Sequence, residues 1–198
     1  MPGSFFITEP PNRICLLCRQ ATRGEYRENP IIIGEASMGM EIERKFLIRK
    51  MPENLEQYPV RLLEQAYLNF SPTIRIRHDE SKETDKYELT YKGIGDFFHE
   101  EYNLPLDKAS YDNLLKKHEG SVIRKKRYMI PVGKHTAELD IFEGELSGFS
   151  LVEVEFETIE EENAFIAPKW FGPDVTAGGE YTNSRLARGI LPSQKSLI

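Results

Sequence analysis

The segment Met40–Phe46, with the sequence MEIERKF, alternates in the manner of a β-strand but places charge where a core would be expected. Successive strand side chains point to opposite faces, so Glu41, Glu43 and Lys45 share one face and Ile42 lies on the other. A half-buried strand normally turns apolar side chains toward the interior. The orientation of this charged face therefore decides both the fold and the function.

Eight segments with strand character follow one another from this point. The predicted strands cover residues 41–49, 61–70, 73–80, 85–93, 97–105, 122–131, 135–143 and 149–158, with glycines and prolines between several of them. A helix is predicted over 107–118, and a shorter one opens at Thr158, where the spacing to Glu161 is that of a capping box. We expect both helices to pack on the outside of the sheet.

Like charges recur two residues apart on these strands. Arg75 and Arg77 share one face, and so do Glu153 and Glu155. Alternation alone favours a solvated face of a two-sided antiparallel sheet. However, side chains at i and i+2 lie about 7 Å apart and repel each other unless opposite charge sits between them. The alternative is that these faces point into a closed barrel. There, carboxylates would surround a metal ion, or guanidinium groups would surround a phosphate.

Composition limits the class of protein. The chain has 198 residues, of which 39% are hydrophobic, enough for one or at most two domains with a real core. Its net charge of −6 argues against nucleic-acid binding, but local basic runs suit a compact anion. No run of about 18 apolar residues and no secretory signal pattern are seen, so we expect a cytoplasmic protein without a membrane span. Oligomeric state is not readable from sequence.

Residues 1–39 differ from the rest, because they show no sustained periodicity and contain scattered prolines and glycines. We expect a flexible or non-native N-terminal extension over 1–39, a barrel domain over 40–190 and a C-terminal tail over 191–198. Met38 and Met40 directly precede the first patterned strand, so the natural start is expected there.

The two cysteines, Cys15 and Cys18, form a single CxxC pair in this extension. A lone pair supplies only half of a tetrahedral zinc site. We therefore expect free thiols with neither a zinc nor a redox role.

Several motifs occur in a characteristic order: E41-I-E-R-K45, R75-I-R77, L89-T-Y-K92, K125-K-R127-Y128, L139-D140, V152-E153-V-E155 and Y181-T-N-S-R-L-A187. In this combination the chain, from about residue 40 to 188, closely resembles the CYTH-type triphosphate tunnel metalloenzymes, especially the bacterial single-domain inorganic triphosphatases. The resemblance implies a mainly β (α+β) fold, a closed eight-stranded antiparallel barrel whose lumen binds a triphosphate, with helices outside.

The resemblance also implies roles for individual residues. It implies Mg²⁺ or Mn²⁺, with two-metal use possible, held by carboxylates, and a polyphosphate or nucleotide substrate held by cations. The implied metal ligands are Glu41, Glu43, Glu153, Glu155 and Asp140, with Glu101 and Glu138 as possible additions. The implied substrate-binding residues are Lys45, Arg75, Arg77, Lys92, Lys125 and Arg127. The implied catalytic residues are Lys45, Glu43 and Glu155.

The implied activity is hydrolysis of the terminal phosphate of inorganic tripolyphosphate, and of nucleoside triphosphates as secondary substrates, by in-line attack of a metal-oriented water. Class IV adenylate cyclase and thiamine triphosphatase activities use the same tunnel, and a non-catalytic polyphosphate-binding module is a third alternative. Paired carboxylates argue against the last, because an anion binder does not need acids facing its ligand. His99 and Asn103 depart from the family pattern, which has arginine or acid at these positions in many members.

Overall fold

The computed structural model of this chain describes residues 42–93 and 101–192, together with the backbone of three two-residue strands upstream. Within these residues, no helix combines the length and the apolar character that a membrane crossing requires. The CxxC pair, Glu41 and His99 lie outside the residues whose side chains are described, so the predictions for them remain predictions.

The fold is dominated by antiparallel strands. In chain order they are β1 (Cys15–Leu16), β2 (Ile31–Ile32), β3 (Ala36–Ser37), β4 (Ile42–Ile48), β5 (Val60–Phe70), β6 (Thr73–Glu80), β7 (Asp85–Lys92), β8 (Glu101–Leu106), β9 (Glu119–Val132), β10 (His135–Glu143), β11 (Ser150–Phe156) and β12 (Phe171–Asp174). Strands β1 and β2 pair with each other, and the other ten form one sheet in the order β12-β4-β11-β10-β9-β5-β6-β7-β8-β3. Each of the eight predicted strands has a counterpart with shifted ends, and the first four residues of the predicted strand 97–105 lie outside the described residues.

The prediction of a closed eight-stranded barrel is confirmed only as far as its antiparallel β architecture. In the part of the chain that the structure describes, the strand order has two ends, and no pairing joins them. The reason is that the outer edges of the eight-strand array already have partners. Strand β4 pairs with β12, and strand β8 pairs with β3.

The sheet is nevertheless strongly curved, so that strands distant in the order face one cavity. Register shifts interrupt β5 between Tyr67 and Asn69 on the β6 side and between Gln65 and Tyr67 on the β9 side. Such bulges bend a strand and increase its twist. The charged faces of the strands lie on the concave side of this curve, and the face of Glu43 and Lys45 is one of them.

The concave face is charged at one end and apolar at the other. In β4, Leu47 continues the face of Glu43 and Lys45 and belongs to a buried apolar cluster. The other members of this inner cluster include Tyr67, Ile123, Phe142, Leu146, Phe149, Leu151, Tyr181 and Leu186. The cluster therefore forms a packed floor beneath the charged part of the concave face.

Two more apolar clusters cover the convex face. One surrounds Phe46, Val152 and Val154, and the other joins Ile76 to Tyr111. Burying a side chain such as Phe46 contributes about 1.5–3 kcal/mol relative to its exposure. The apolar faces of the strands are thus buried outward, against helices and loops, and this leaves the concave face for polar groups.

The described residues also form three α-helices: α1 (Lys108–Leu115), α2 (Ile159–Ala164) and α3 (Asn183–Ala187). Asp107 caps α1, and Thr158 caps α2 by accepting a hydrogen bond from the Glu161 amide. The structure confirms both predicted helices and their positions on the convex side of the sheet. Helix α3 was not predicted, because five residues are too few to show a helical period; it packs its Leu186 into the inner floor.

Replacing Gly120 by alanine should destabilise the protein by about 2–3 kcal/mol, because two costs coincide there. Gly120 has φ of +69°, and an added Cβ would lie 2.2 Å from the carbonyl oxygen of Ala187 at the end of α3. Gly133→Ala is the matched control, because Gly133 has φ of +61° but no atom within 4 Å of an added Cβ. Chemical denaturation of both variants measures the difference; equal losses would show that the contact with α3 contributes nothing.

Candidate functional site

A cavity of about 380 Å³ opens on the charged part of the concave face. It receives side chains from strands β4 to β9, from β11 and from the segment that begins α3. The lining residues are Glu43, Lys45, Tyr67, Thr73, Arg75, Arg77, Glu88, Thr90, Lys92, Glu101, Asn103, Arg127, Glu153, Glu155, Thr182, Asn183 and Ser184. Most of them are charged, so the cavity suits a small ionic ligand rather than an apolar one.

Arg75 and Arg77 form a cationic wall on β6. The Nε atoms of both side chains are buried and make no hydrogen bond with any described residue. Burial, and then the nearby charges of Arg75 and Arg127, lower the pKa of Arg77 to about 10. Buried polar groups are normally hydrogen-bonded, so the two Nε–H groups lack an acceptor that an anionic ligand could provide.

An ion pair between a lysine on β7 and a glutamate on β8 lies beside this wall. Lys92 Nζ lies 2.9 Å from Glu101 Oε2. Burial would raise the pKa of Glu101, but hydrogen bonding and charge interaction with Lys92 lower it. The two residues are Cα partners across the strand pair, so the register of the sheet sets their contact.

Arg127 is surrounded by carboxylates. Its guanidinium donates to Asp140 Oδ1 and Oδ2 at 2.7 Å each, to Glu153 Oε2 at 2.7 Å, and also to Glu138. Burial would lower the pKa of Arg127, but Asp140 and the other two acids raise it well above its ordinary range. In contrast to Arg77, this cation has its full charge balanced by protein groups.

Two buried lysines extend this cluster of alternating charges. Lys125 Nζ donates to Asp140, and burial followed by repulsion from Arg127 lowers the pKa of Lys125. Lys45 Nζ lies 2.7 Å from Glu153 Oε1 and 2.7 Å from Glu43 Oε1. Burial would lower the pKa of Lys45, but Glu153 and Glu43 raise it, so Lys45 stays protonated at neutral pH.

Two carboxylates remain at the acidic side of the cavity. Glu43 on β4 and Glu155 on β11 are Cα partners, so their side chains stand next to each other on one face. Glu155 is exposed and makes no ion pair with a described residue, while the ion pair of Glu43 among the described residues is with Lys45. Among the described residues, no group of three or more His, Cys, Asp or Glu side chains has the spacing of a complete metal site.

The structure brings together nine of the predicted site residues in the cavity lining: Glu43, Lys45, Arg75, Arg77, Lys92, Glu101, Arg127, Glu153 and Glu155. Lys125 and Asp140 lie beneath the cavity, where they pair with each other. Glu138 binds Arg127 and lines a neighbouring cavity with Glu155. Burial, then repulsion from Glu155 and Asp140, raises the pKa of Glu138 although Arg127 opposes the shift.

Sequence reasoning did not predict the neutral residues of the cavity as site residues. Thr73 and Thr90 share the charged faces of their strands, so strand parity could have found them, and Asn103, noted only as a departure from the family pattern, lies on the charged face of β8. Nothing in the local sequence separates Tyr67 from an ordinary aromatic strand residue. Thr182, Asn183 and Ser184 reach the cavity only because the chain returns over the inner floor, which no local pattern reveals.

An antiparallel sheet with opposed cationic and acidic walls defines a class of anion-binding β proteins. The CYTH domain description matches residues 39–172, so the chain belongs to the CYTH domain family. The chain is 39% identical over 153 residues to an inorganic triphosphatase of Nitrosomonas europaea, an alignment that covers 76% of this chain and 98% of the relative.

Two further relatives agree with this assignment. An inorganic triphosphatase of Acetivibrio thermocellus is 34% identical over 157 residues, which cover 76% of this chain and 95% of the relative. The crystal structure of an inorganic triphosphatase superposes with a TM-score of 0.60 at 33% identity, covering 78% of this chain and 99% of that one. The similarity therefore spans nearly the whole length of each relative.

Proposed function

We propose that this protein is a metal-dependent inorganic triphosphatase that hydrolyses the terminal phosphate of tripolyphosphate, with nucleoside triphosphates as secondary substrates. The single observation that supports this most directly is the pair of buried guanidinium groups of Arg75 and Arg77 without hydrogen-bond partners at Nε, opposite the carboxylates of Glu43 and Glu155. Relatives that are 39% and 34% identical over nearly their whole length are inorganic triphosphatases.

In this proposal, Arg75, Arg77 and Lys92 hold the phosphate chain. A guanidinium matches two phosphate oxygens with a bidentate fork, and an ammonium acts as a point charge. Binding a polyanion would also relieve the repulsion between Arg75 and Arg77, which, after burial, contributes to the lowered pKa of Arg77. Arg127 then acts mainly as a fixed support, since three carboxylates already satisfy it.

A divalent metal fits the acidic side of the cavity. Mg²⁺ takes oxygen ligands and usually keeps several waters, so one or two carboxylates together with substrate oxygens satisfy it. Glu43 and Glu155 would hold the ion, whereas Asp140 and Glu153 have their oxygens engaged by buried cations. When bound, such an ion supplies charge neutralisation at the phosphate oxygens and a lowered pKa for water.

The remaining steps fall to the protein's own side chains. Lys45, kept charged by Glu43 and Glu153, would contact the terminal phosphate and stabilise charge that develops there. Glu155 Oε, free of ion pairs with described residues, would accept a proton from the attacking water. The water would approach in line with the bond to the leaving pyrophosphate.

Two structural proposals accompany this function. The barrel domain would comprise residues 40–190, to whose sheet Ala36–Ser37 of the upstream segment add a short edge strand. The curved sheet would close further around a bound polyphosphate, since cationic and acidic walls attract the same ligand from opposite sides.

The substrate is tested by comparing phosphate release from tripolyphosphate, ATP and thiamine triphosphate, with Mg²⁺, with Mn²⁺ and with EDTA, alongside an assay for cyclic AMP. The proposal expects the highest kcat/KM with tripolyphosphate and no turnover in EDTA. Cyclic AMP from ATP would identify a cyclase instead, and a preference for thiamine triphosphate would identify that phosphatase. Tight tripolyphosphate binding without any turnover would identify a binding module.

Glu43→Gln should raise the Mg²⁺ concentration that gives half-maximal activity by about tenfold, because one of two metal-facing carboxylates loses its charge. Glu56→Gln is the matched control, since Glu56 lies in the short 3₁₀ turn Leu55–Gln57, away from the cavity. Activity is measured against Mg²⁺ at saturating tripolyphosphate. An unchanged Mg²⁺ requirement in Glu43→Gln would remove Glu43 from the metal site.

A further inference from the structure

A chain of hydrogen bonds connects Arg75 to a neutral residue on β8. Arg75 Nη2 donates to Thr90 Oγ1 at 2.9 Å, and the Thr90 hydroxyl donates to Asn103 Oδ1 at 2.7 Å. Thr90 is completely buried. Because the single hydroxyl proton of Thr90 points to Asn103, a lone pair of the same oxygen faces Arg75. The orientation of the guanidinium therefore depends on the side chain at position 103.

The other end of the Asn103 amide is also engaged. Its Nδ2 donates to Glu101 Oε1 at 3.2 Å, while Glu101 Oε2 pairs with Lys92. Position 103 thus needs an acceptor toward Thr90 and a donor toward Glu101, and an amide offers both without net charge. A carboxylate here would face Glu101 with like charge and would place negative charge beside Arg75.

We infer that Asn103 is a positioning residue that orients Arg75 through the Thr90 hydroxyl and, being uncharged, leaves the charge of that guanidinium available to a phosphate oxygen of the substrate. This inference rests on the proposed function, since it assigns Arg75 to the polyphosphate. It explains why a half-buried amide stands in the middle of a wall of charged side chains. A charged partner at this place would neutralise Arg75, as three acids neutralise Arg127.

Asn103→Asp tests the charge, and Asn103→Ala and Thr90→Val test the hydrogen-bond chain. Asn103→Asp should raise the KM for tripolyphosphate about tenfold and change kcat less than about threefold, because binding rather than chemistry is weakened. Thr90→Val and Asn103→Ala should each raise KM about threefold to tenfold. The KM of the double variant should be no higher than the higher of the two single-variant values, since both substitutions break the same chain of hydrogen bonds. Thermal melting confirms that each variant is folded.

Asn113→Asp on the exposed side of α1 is the matched control, because it adds the same charge far from the cavity and should leave KM unchanged. Calorimetric titration of tripolyphosphate without metal gives a second measure that does not depend on turnover. If the wild type binds tripolyphosphate but does not hydrolyse it, the proposed function fails while the titration still tests Asn103. If Asn103→Asp binds and turns over tripolyphosphate like Asn113→Asp, or the effects of Thr90→Val and Asn103→Ala simply add, the inference is wrong.

Discussion

Arg77→Leu is expected to lower kcat/KM for tripolyphosphate by at least about a hundredfold, the usual effect of removing one fixed group that stabilises developing charge in a transition state. Arg77 lies on the cationic wall, and its Nε has no hydrogen-bond partner among the described residues. Since no carboxylate of the described residues forms an ion pair with Arg77, in the proposed complex its charge acts mainly on the phosphate chain.

The same substitution is expected to leave the melting temperature unchanged or to raise it. Burial and the positive charges of Arg75 and Arg127 lower the pKa of Arg77 to about 10. A base whose pKa is lower in the folded state than in the unfolded state binds its proton more weakly when folded, so its charge destabilises the fold at neutral pH. This penalty fades only as the pH rises through about 10, and leucine removes it at pH 7.

Arg49→Leu provides the control, because Arg49 is an exposed arginine just past the end of β4. Arg77→Lys adds a second comparison, since it keeps the charge but loses the bidentate fork and should fall between wild type and Arg77→Leu. Steady-state kinetics and thermal melting of the three variants are the measurements. An Arg77→Leu protein that loses stability as well as activity would mean that Arg77 supports the fold, and one that keeps its activity would remove it from the site.

Glu153→Gln is expected to destabilise the protein by about 3–5 kcal/mol, the usual cost of removing one partner from a buried ion pair. Glu153 is 6% exposed and lies between two buried cations, with Lys45 Nζ and Arg127 Nη2 each at 2.7 Å. A neutral amide leaves both cations with less compensation and turns a donor group toward one of them. Glu157→Gln, just beyond the end of β11, removes an exposed carboxylate and should cost almost nothing.

The pH dependence of stability gives an independent check on Glu153. Burial would raise the pKa of this acid, but Lys125, Arg127 and Lys45 lower it far below its ordinary value of 4.5. A carboxylate with a lowered folded-state pKa contributes stability that is fully present above its unfolded pKa and is lost as the pH falls toward the folded value. Denaturant unfolding should therefore show the wild type losing stability below about pH 4.5, while Glu153→Gln lacks this part of the loss. Parallel curves for the two proteins would contradict the assignment.

Much of the strand architecture could be predicted from the sequence, because a period of two is a local property. Alternation assigned Glu43, Lys45, Arg75 and Arg77 to charged strand faces, and the structure places all four in one cavity. The predicted capping residue Thr158 likewise acts on an amide within the same turn. Each of these features depends on residues a few positions apart, so no tertiary information was needed to find them.

The pattern of alternation does not distinguish one inward-facing cation from another. Lys125 and Arg127 carry the same spacing as Arg75 and Arg77, yet the first pair is neutralised by Asp140 and its neighbours, whereas Arg75 and Arg77 line the cavity with buried Nε atoms that no described residue binds. Asp140 sits opposite Arg127 through the register of β9 and β10, a relation that no single strand contains.

The sequence by itself determined which side chains share a face, since that follows from the geometry of each strand. Only the tertiary structure decided which cations are balanced by acids and which remain available to an anion. The reason is that an ion pair depends on distances of about 3–4 Å between strands far apart in the chain. Curvature, register and the return of α3 over the inner floor set those distances, and they turn a set of alternating charges into a cavity with two different walls.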